Sequence, residues 1–381
     1  MANILTNLIP ELYANLDVVS RELVGYIPAV TLDATTSRAA KDQTVRSFVA
    51  PAASASDVTP GLYAPDVGDQ TIGNTTLTIS KVRKVPIRWN GEEELSISAG
   101  HGAAAIRASQ IQQAFRTLAN EIETDLGALH IYASRAAGAA ATTPFGTAND
   151  YTAASLTRKI LADNGAPLSD LQLVVDTAAG ANIRGKQAAA GDAGSTSILR
   201  QGVLLDINGM MVRESAQVPS FTAGSFSAGT LTSAVRAVGA TSLAATADYT
   251  AGLGAGDVIT LAHESGAHAY VITAVAAGTI TIAAPGLRTA TAATGTVAIT
   301  KIATSRRNMG FHRSAIVLAQ RLPALPQGGD AAVDRTVVTD PRSGLSFEIS
   351  QYAQYRQMYW EVACAWGVKM VKTEHAAILL G

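Results

Sequence analysis

Between Phe221 and Ile302 the chain offers six short strand patterns and no helical one. They are "GTLTSAVRAV", "TSLAAT", "GDVITLAH", "HAYVITAV", "GTITIAAP" and "GTVAITKIA", set apart by turn glycines. Apolar residues at every second position fill one face of a strand. Short strands at such close spacing predict a small closed barrel. The sequence on either side mixes helix and strand. An all-β block inside an α+β chain predicts an inserted domain over residues 221–302.

The remaining segments do not look self-sufficient. Leu5, Leu8, Leu12, Leu16, Val19 and Leu23 form one apolar stripe, interrupted by Pro10. It predicts an amphipathic N-terminal arm that lies on its own chain or on a neighbour. "QTVRSFVA" and "NTTLTISKVRKVPIRW" read as two strands joined by a long stretch rich in Ala, Ser, Thr, Pro and Gly. In the second, Leu77, Ile79, Val82, Val85, Ile87 and Trp89 alternate, with a phase slip near Arg83. Two strands cannot bury a core of their own, so this extended hairpin must lie on something else.

From His101 to Gly138 no proline interrupts a helical pattern. Ile111, Phe115, Leu118, Ile122, Leu129 and Ala133 recur near every 3.6 residues, and Glu121, Glu123 and Asp125 are assigned to the polar side. A helix of ~30 residues would be ~45 Å long. It predicts a spine, with His130 a surface or packing residue. "YTAASLTRKILADNG" predicts a helix ending at Gly165, "LQLVVDTAA" a buried strand, "AGANIRGKQAAA" a short helix, and "VLLDINGMMVRES" two strands around an Asn208-Gly209 turn. Beyond the insert, "RNMGFHRSAIVLAQRLPALPQGG" reads as mixed structure with a short helix. "RTVVTDPRSGLSFEIS" reads as a hairpin, and "QYRQMYWEVACAWGVKMV" as a long strand run.

Composition narrows the function. Of 381 residues only 15% are charged and 5% aromatic, against ~25% charged in an ordinary soluble domain. A large buried interface and an alanine-rich genome both account for this. The net charge of −1 supplies no global field toward nucleic acid or membrane. One cysteine, Cys364, excludes an intrachain disulfide and reads as a small buried residue. The N-terminus lacks the pattern of a signal peptide, and no run is long enough to span a membrane. A soluble cytoplasmic protein is expected.

No phosphate-binding loop, dinucleotide fingerprint or nucleophile elbow is present. "LAHESGAHAYVI" places His263 and His268 beside Glu264, which resembles a zinc set. The flanking alternation instead predicts a β-hairpin, with Glu264–Ala267 as the turn and the two histidines as a cross-strand pair. "GEEEL" puts Glu92, Glu93 and Glu94 between hairpin and spine, as a solvated turn or a partner for cations. "KVRKVPIR" carries Lys81, Arg83, Lys84 and Arg88. These discourage edge pairing or meet the acidic run on another subunit. No catalytic, cofactor or metal residue is assigned.

Three stretches carry a resemblance: "GFHRSAIVLAQRLPALPQG" (Gly310–Gly328), "WGVKMVKTEHAAILL" (Trp366–Leu380, with Glu374 in the usual place), and "GDVITLAHESGAHAYVITAVAAGTITIAAP" (Gly256–Pro285). Their order resembles the major capsid proteins of tailed double-stranded DNA bacteriophages, of the type with a β-barrel inserted in the capsid fold. The resemblance covers essentially the whole chain. It implies an α+β capsid fold with an N-terminal arm at 1–35 and an extended E-loop at 36–95. A peripheral domain with the spine helix would comprise 96–150 and 330–358. An axial domain would comprise 151–220, 303–329 and 359–381, with the barrel at 221–302.

The same resemblance implies a shell protein rather than an enzyme. Its partners would be copies of itself in hexamers and pentamers, a scaffolding protein, a portal, and packaged DNA touched weakly. It would reside in the virion capsid after assembly in the bacterial cytoplasm. Lys81, Arg83, Lys84 and Arg88 become candidates for salt bridges between subunits, with Glu92, Glu93, Glu94, Glu121 and Glu123 as partners. The alternatives are an encapsulin-type nanocompartment, a surface-layer or adhesin protein, and a metal-dependent hydrolase using His263, His268 and Glu264.

Overall fold

The computed structural model describes residues 24–49, 73–98, 103–147, 150–189, 206–264, 268–291, 295–340 and 344–381, with 55, 57, 58, 60 and 62 in addition. The apolar stripe expected at Leu5–Leu23 lies outside the described residues. So do residues 203–205 of the expected strand before Asn208, and the turns at 265–267 and 341–343.

In chain order the elements begin with β1 (Thr31–Ala39), β2 (Thr44–Val49), β3 (Gly73–Thr78) and β4 (Lys81–Asn90), then helices α1 (Gly91–Ser98) and α2 (Ala103–Gly127). Next come β5 (Arg135–Ala137), α3 (Thr152–Asp163), β6 (Leu171–Val175), α4 (Thr177–Ala189) and β7 (Met210–Glu214). Eight short to medium strands follow: β8 (Ser220–Phe221), β9 (Gly229–Leu231), β10 (Ser242–Ala244), β11 (Val258–Leu261), β12 (Ala269–Ala276), β13 (Thr279–Ile282), β14 (Val297–Lys301) and β15 (Ser305–His312). The chain closes with β16 (Ile316–Pro323), β17 (Ala332–Thr339), β18 (Ser346–Gln354), β19 (Gln357–Met370) and β20 (Ala376–Leu380).

A first sheet runs β1-β16-β19-β18-β17, with β4 added along β19. Its apolar face lies under α2. Ile111, Ala114, Phe115, Leu118, Ile122 and Leu126, spaced by three and four, are all buried there. Phe115 meets Phe347 edge-on at 5.1 Å. Trp89 donates its indole N–H to Gln110 at 2.8 Å, and Trp366 donates to Asp125 at 2.9 Å. Each aromatic buried this way contributes about 1.5–3 kcal/mol, so packing holds the helix in place. The spine is shorter than expected: α2 has 25 residues, and a 3-10 turn at Ala128–Tyr132 continues it.

The hairpin β2–β3 forms a separate two-stranded ribbon. Its base rests on the sheet, where Leu77 and Ile79 pack on Ala39, Ala319 and Ala365. Val85, Ile87 and Trp89 serve the α2 side instead. The break between these runs is at Ile79-Ser80, where Asp42 and Gln43 bond the backbone of Ile79, and not near Arg83. Val82 points outward, 38% exposed.

A second sheet runs β7-β6-β15-β20-β5 and continues through the β5–β12 pairing into the 221–302 strands; its first part buries a core with Ile160 and Leu161 of α3 and Ala179 and Ile183 of α4. Asn208 and Gly209 both take positive φ, 53° and 72°, as the turn before β7 requires. The short helix expected after residue 305 is absent. β15 and β16 fill that stretch, joined by one 3-10 turn at Arg313–Ala315, because β16 pairs on both sides, with β1 and β19.

This places the expected axial segments in both sheets. Of 303–329, β15 lies in the second sheet and β16 in the first. Of 359–381, most of β19 lies in the first and β20 in the second. In the 221–302 block the pairings run β9-β14-β11-β12-β13-β10. They return to β9 through Leu231 and Ala245, with Thr232 N donating to Ala244 O at 3.0 Å and Thr246 N to Thr230 O at 3.0 Å. Leu231, Leu243, Ile259, Tyr270, Ile272, Ile280 and Ile299 form its separate core.

Candidate functional site

Strand alternation sends the cations of β4 to two faces. On the α2 face, Lys81 Nζ lies 3.0 Å from Glu121 and 2.8 Å from Asp125, and Arg83 Nε lies 3.1 Å from Glu121. Burial acts to lower the Lys81 pKa, but the hydrogen bonds to Asp125 and Glu121 raise it overall. On the opposite face Lys84 Nζ meets Glu361 at 2.9 Å and lies 5.5 Å from the Tyr359 ring centroid. Its hydrogen bond to Glu361 raises its pKa.

That face continues as a chain of charges across four more strands or their ends. The Tyr352 hydroxyl lies 3.3 Å from Glu361 and 2.8 Å from Asp330. Arg335 meets Asp330 at 2.5 Å and Glu348 at 3.2 Å, and Arg38 meets Glu348 at 2.5 Å. Arg88 extends the same face, exposed and without an ion-pair partner among the described residues. Sequence reasoning found Lys84 and Arg88 but missed Glu361, Asp330, Arg335, Glu348 and Arg38. The alternation in "RTVV" and "YWEV" marks their strands, but only sheet order aligns them.

The acidic run is not a turn. It opens α1, where Glu93 N donates to Asn90 Oδ1 at 2.7 Å and Asn90 N donates to Glu93 Oε2 at 3.0 Å. This reciprocal pair satisfies two free amides at a helix start. Glu94 meets Arg107 at 3.1 Å. Glu92 is exposed and lines a cavity of about 690 Å³ with Trp89, Glu94, Tyr355 and Arg356.

Glu123 departs from its assignment to the polar side. It is 0% exposed. Residues 121 and 125 share a face, whereas 123 points to nearly the opposite one. Its carboxylate accepts N–H from Gly25, Tyr26 and Ile27 at 3.2, 3.1 and 2.7 Å, and the Ser215 hydroxyl at 2.8 Å. Burial raises its pKa, against the opposing effect of those four donors. The residue anchors the first described segment within its own chain.

The two histidines do not form a cross-strand pair. The register Ile259 to Tyr270 and Thr260 to Ala269 sets Leu261 level with His268, so His263 falls beyond the ladder. His263 Nε2 lies 3.3 Å from Thr289 O. Glu264 is buried and accepts the Tyr270 hydroxyl at 2.7 Å and Thr289 N at 3.3 Å. His268 Nδ1 accepts from Arg135 at 3.3 Å. Among the described residues no three metal-ligating side chains converge, and no helix is long and apolar enough to cross a membrane. Cys364 is fully buried, and burial raises its thiol pKa.

His130 is buried rather than exposed, its Nδ1 3.1 Å from Gly127 O and its ring edge-on to Phe221 at 5.6 Å. Burial lowers its pKa to about 4, with the Arg307 charge acting the same way. The unfolded chain takes this proton near pH ~6.5. Stability therefore falls as pH drops from ~6.5 toward ~4, by up to about 3 kcal/mol from this group. Urea unfolding at about pH 7 and about pH 4.5 should show that loss, and His130→Phe should remove most of it. An unchanged difference in the variant would reject the assignment.

No family model matches the chain, and no curated protein matches it. Solved structures do. A chain of Mycobacterium phage Che8 is 14% identical over 96% of this chain and 89% of that one, with TM-score 0.43. The capsid structure of the cyanophage P-SCSP1u gives 12% identity over 92% and 86%, with TM-score 0.45. A virus-like particle from Pyrococcus furiosus gives 7% over 98% and 100%, with TM-score 0.44. At these identities and TM-scores, the likeness by itself assigns this chain no function.

Proposed function

We propose that this chain is a major capsid subunit of a tailed double-stranded DNA bacteriophage, which closes in many copies into an icosahedral shell. The observation that carries the reading is the β2–β3 ribbon. It pairs with no third strand among the described residues, and Val58 and Leu62 between its strands are 95% and 91% exposed. A two-stranded ribbon is marginal alone in water. A second copy is the surface that would cover it, and copies that each lend an extension to the next build closed assemblies.

In this reading the ribbon is the E-loop, and the first sheet with α2 is the peripheral domain. The second sheet with α3 and α4 is the axial domain, and the six-strand ring is an inserted β-barrel. Scaffolding protein, portal and enclosed DNA are the partners, and assembly takes place in the host cytoplasm. No step of this function asks for catalysis. Apolar burial supplies strength, while charged groups set register.

Expressed with a scaffolding partner, the protein should sediment as megadalton particles with icosahedral outlines. A stable monomer or small ring under those conditions would overturn the proposal. Arg83→Glu with Lys84→Glu should lower particle yield and leave the fold intact, because exposed pairs contribute only ~0–1 kcal/mol each. Unchanged yield would remove both residues from the interface.

A further inference from the structure

Several cations of the first sheet are committed to carboxylates: Lys81, Arg83, Lys84, Arg335 and Arg321 all have one within 3.2 Å. Two adjacent cations on α3 are not. Ser155, Arg158, Lys159 and Ala162, spaced by three, four and seven residues, share one face of that helix. With Leu168 and Asn208 they line a cavity of about 340 Å³. No carboxylate lines it, and neither Arg158 nor Lys159 has an ion-pair partner among the described residues. Asp163, one turn further on, is engaged by Arg135 at 3.4 Å.

The polar wall of the cavity is fixed. Asn208 donates its amide N–H to Ser155 Oγ at 2.7 Å, and its left-handed φ of 53° is set by the turn before β7. The Arg158 guanidinium lies beside this turn, its Cζ 3.9 Å from where a Cβ at Gly209 would stand, an ordinary contact distance. A planar fork of N–H donors, a mobile ammonium and two neutral hydrogen-bonding groups match the oxygens of a phosphate.

We propose that this cavity binds a phosphate group, and that in the assembled particle the group belongs to the backbone of the enclosed nucleic acid. The second clause rests on the shell reading above, and it turns the outer face of α3 toward the lumen.

The full-length, unassembled protein is tested with a short DNA duplex over a range of salt, and with inorganic phosphate by calorimetry. Each phosphate contact adds about one unit to the slope of log K against log salt. Arg158→Gln with Lys159→Gln should therefore lower the slope by about one and abolish saturable phosphate binding, with unchanged circular dichroism. Phosphate binding lost in the variant with an unaltered DNA slope would confirm the cavity and overturn the nucleic-acid source. An unaltered slope without saturable phosphate binding to the wild type would overturn the site itself. Particle formation is followed separately, in material expressed with a scaffolding partner. Its failure in the wild type would remove the shell reading while the phosphate titration remained decisive for the cavity.

Discussion

Gly367→Ala should unseat the β2–β3 ribbon. Gly367 lies in β19 directly beneath the end of β3, where an added Cβ would fall 2.0 Å from the carbonyl oxygen of Thr78 and 3.0 Å from Leu77 Cδ2. The first obstacle is backbone, so no side-chain rotation relieves it. The floor around it is built of small residues, Ala319 and Ala365, on which Leu77 and Ile79 rest. Lys369 also donates to Thr76 O at 2.7 Å nearby. A methyl must lift β3 and break that contact. Overpacking of this kind costs about 1–3 kcal/mol, and a backbone clash belongs at the upper end. The denaturation midpoint should fall accordingly, cleavage by protease between residues 50 and 72 should accelerate, and particle yield should drop sharply. A variant with wild-type midpoint and yield would show that β3 does not sit where this floor puts it.

Glu123→Ala is expected to be the most destabilising single truncation of a charged residue. It would leave three consecutive backbone amides and one hydroxyl buried without an acceptor. A buried donor left unsatisfied costs about 1–3 kcal/mol. Partial relaxation makes the four non-additive, so about 4 kcal/mol in total is expected. Glu123→Gln keeps one acceptor oxygen and should lose roughly half as much. Hydrogen exchange at Gly25, Tyr26 and Ile27 separates local release from general weakening, because it should rise there well before the rest of the chain opens. Equal stability of Glu123→Ala and wild type would mean that water replaces the carboxylate without loss.

Local pattern made much of the fold legible. The alternation of β3 and β4, the apolar stripe of α2, the Gly165 stop after α3 and the Asn208-Gly209 turn are properties of a few neighbouring residues, and the structure contains each. The stretch "RSAIVLAQRLP" was not legible. A short apolar run suits a helix or a buried strand equally, and pairing with β1 and β19 decided it. The acidic run was misplaced for a related reason. Asn90, the residue that caps α1, precedes the three glutamates and sits at the end of a strand, so the helix start was hidden by the strand pattern before it.

The candidate site was legible only in residue type. The sequence by itself determined where charges stand along each element, because strand and helix periods assign every residue to a face. It determined likewise that the ribbon has too few strands to stand alone. Only the tertiary structure decided what each charge does. Lys81 reaches Glu121 across 40 residues of chain, Lys84 reaches Glu361 across 277, and Glu123 closes on residues 25–27 across 96 to 98. Partners at such separations are chosen by sheet order and helix docking, which depend on packing of the whole core. Residue type can therefore say that Glu123 and Arg158 carry charge, and the helical period that Glu123 stands away from the face of Glu121 and Asp125, but not which backbone amides close on Glu123 or that Arg158 lines a cavity.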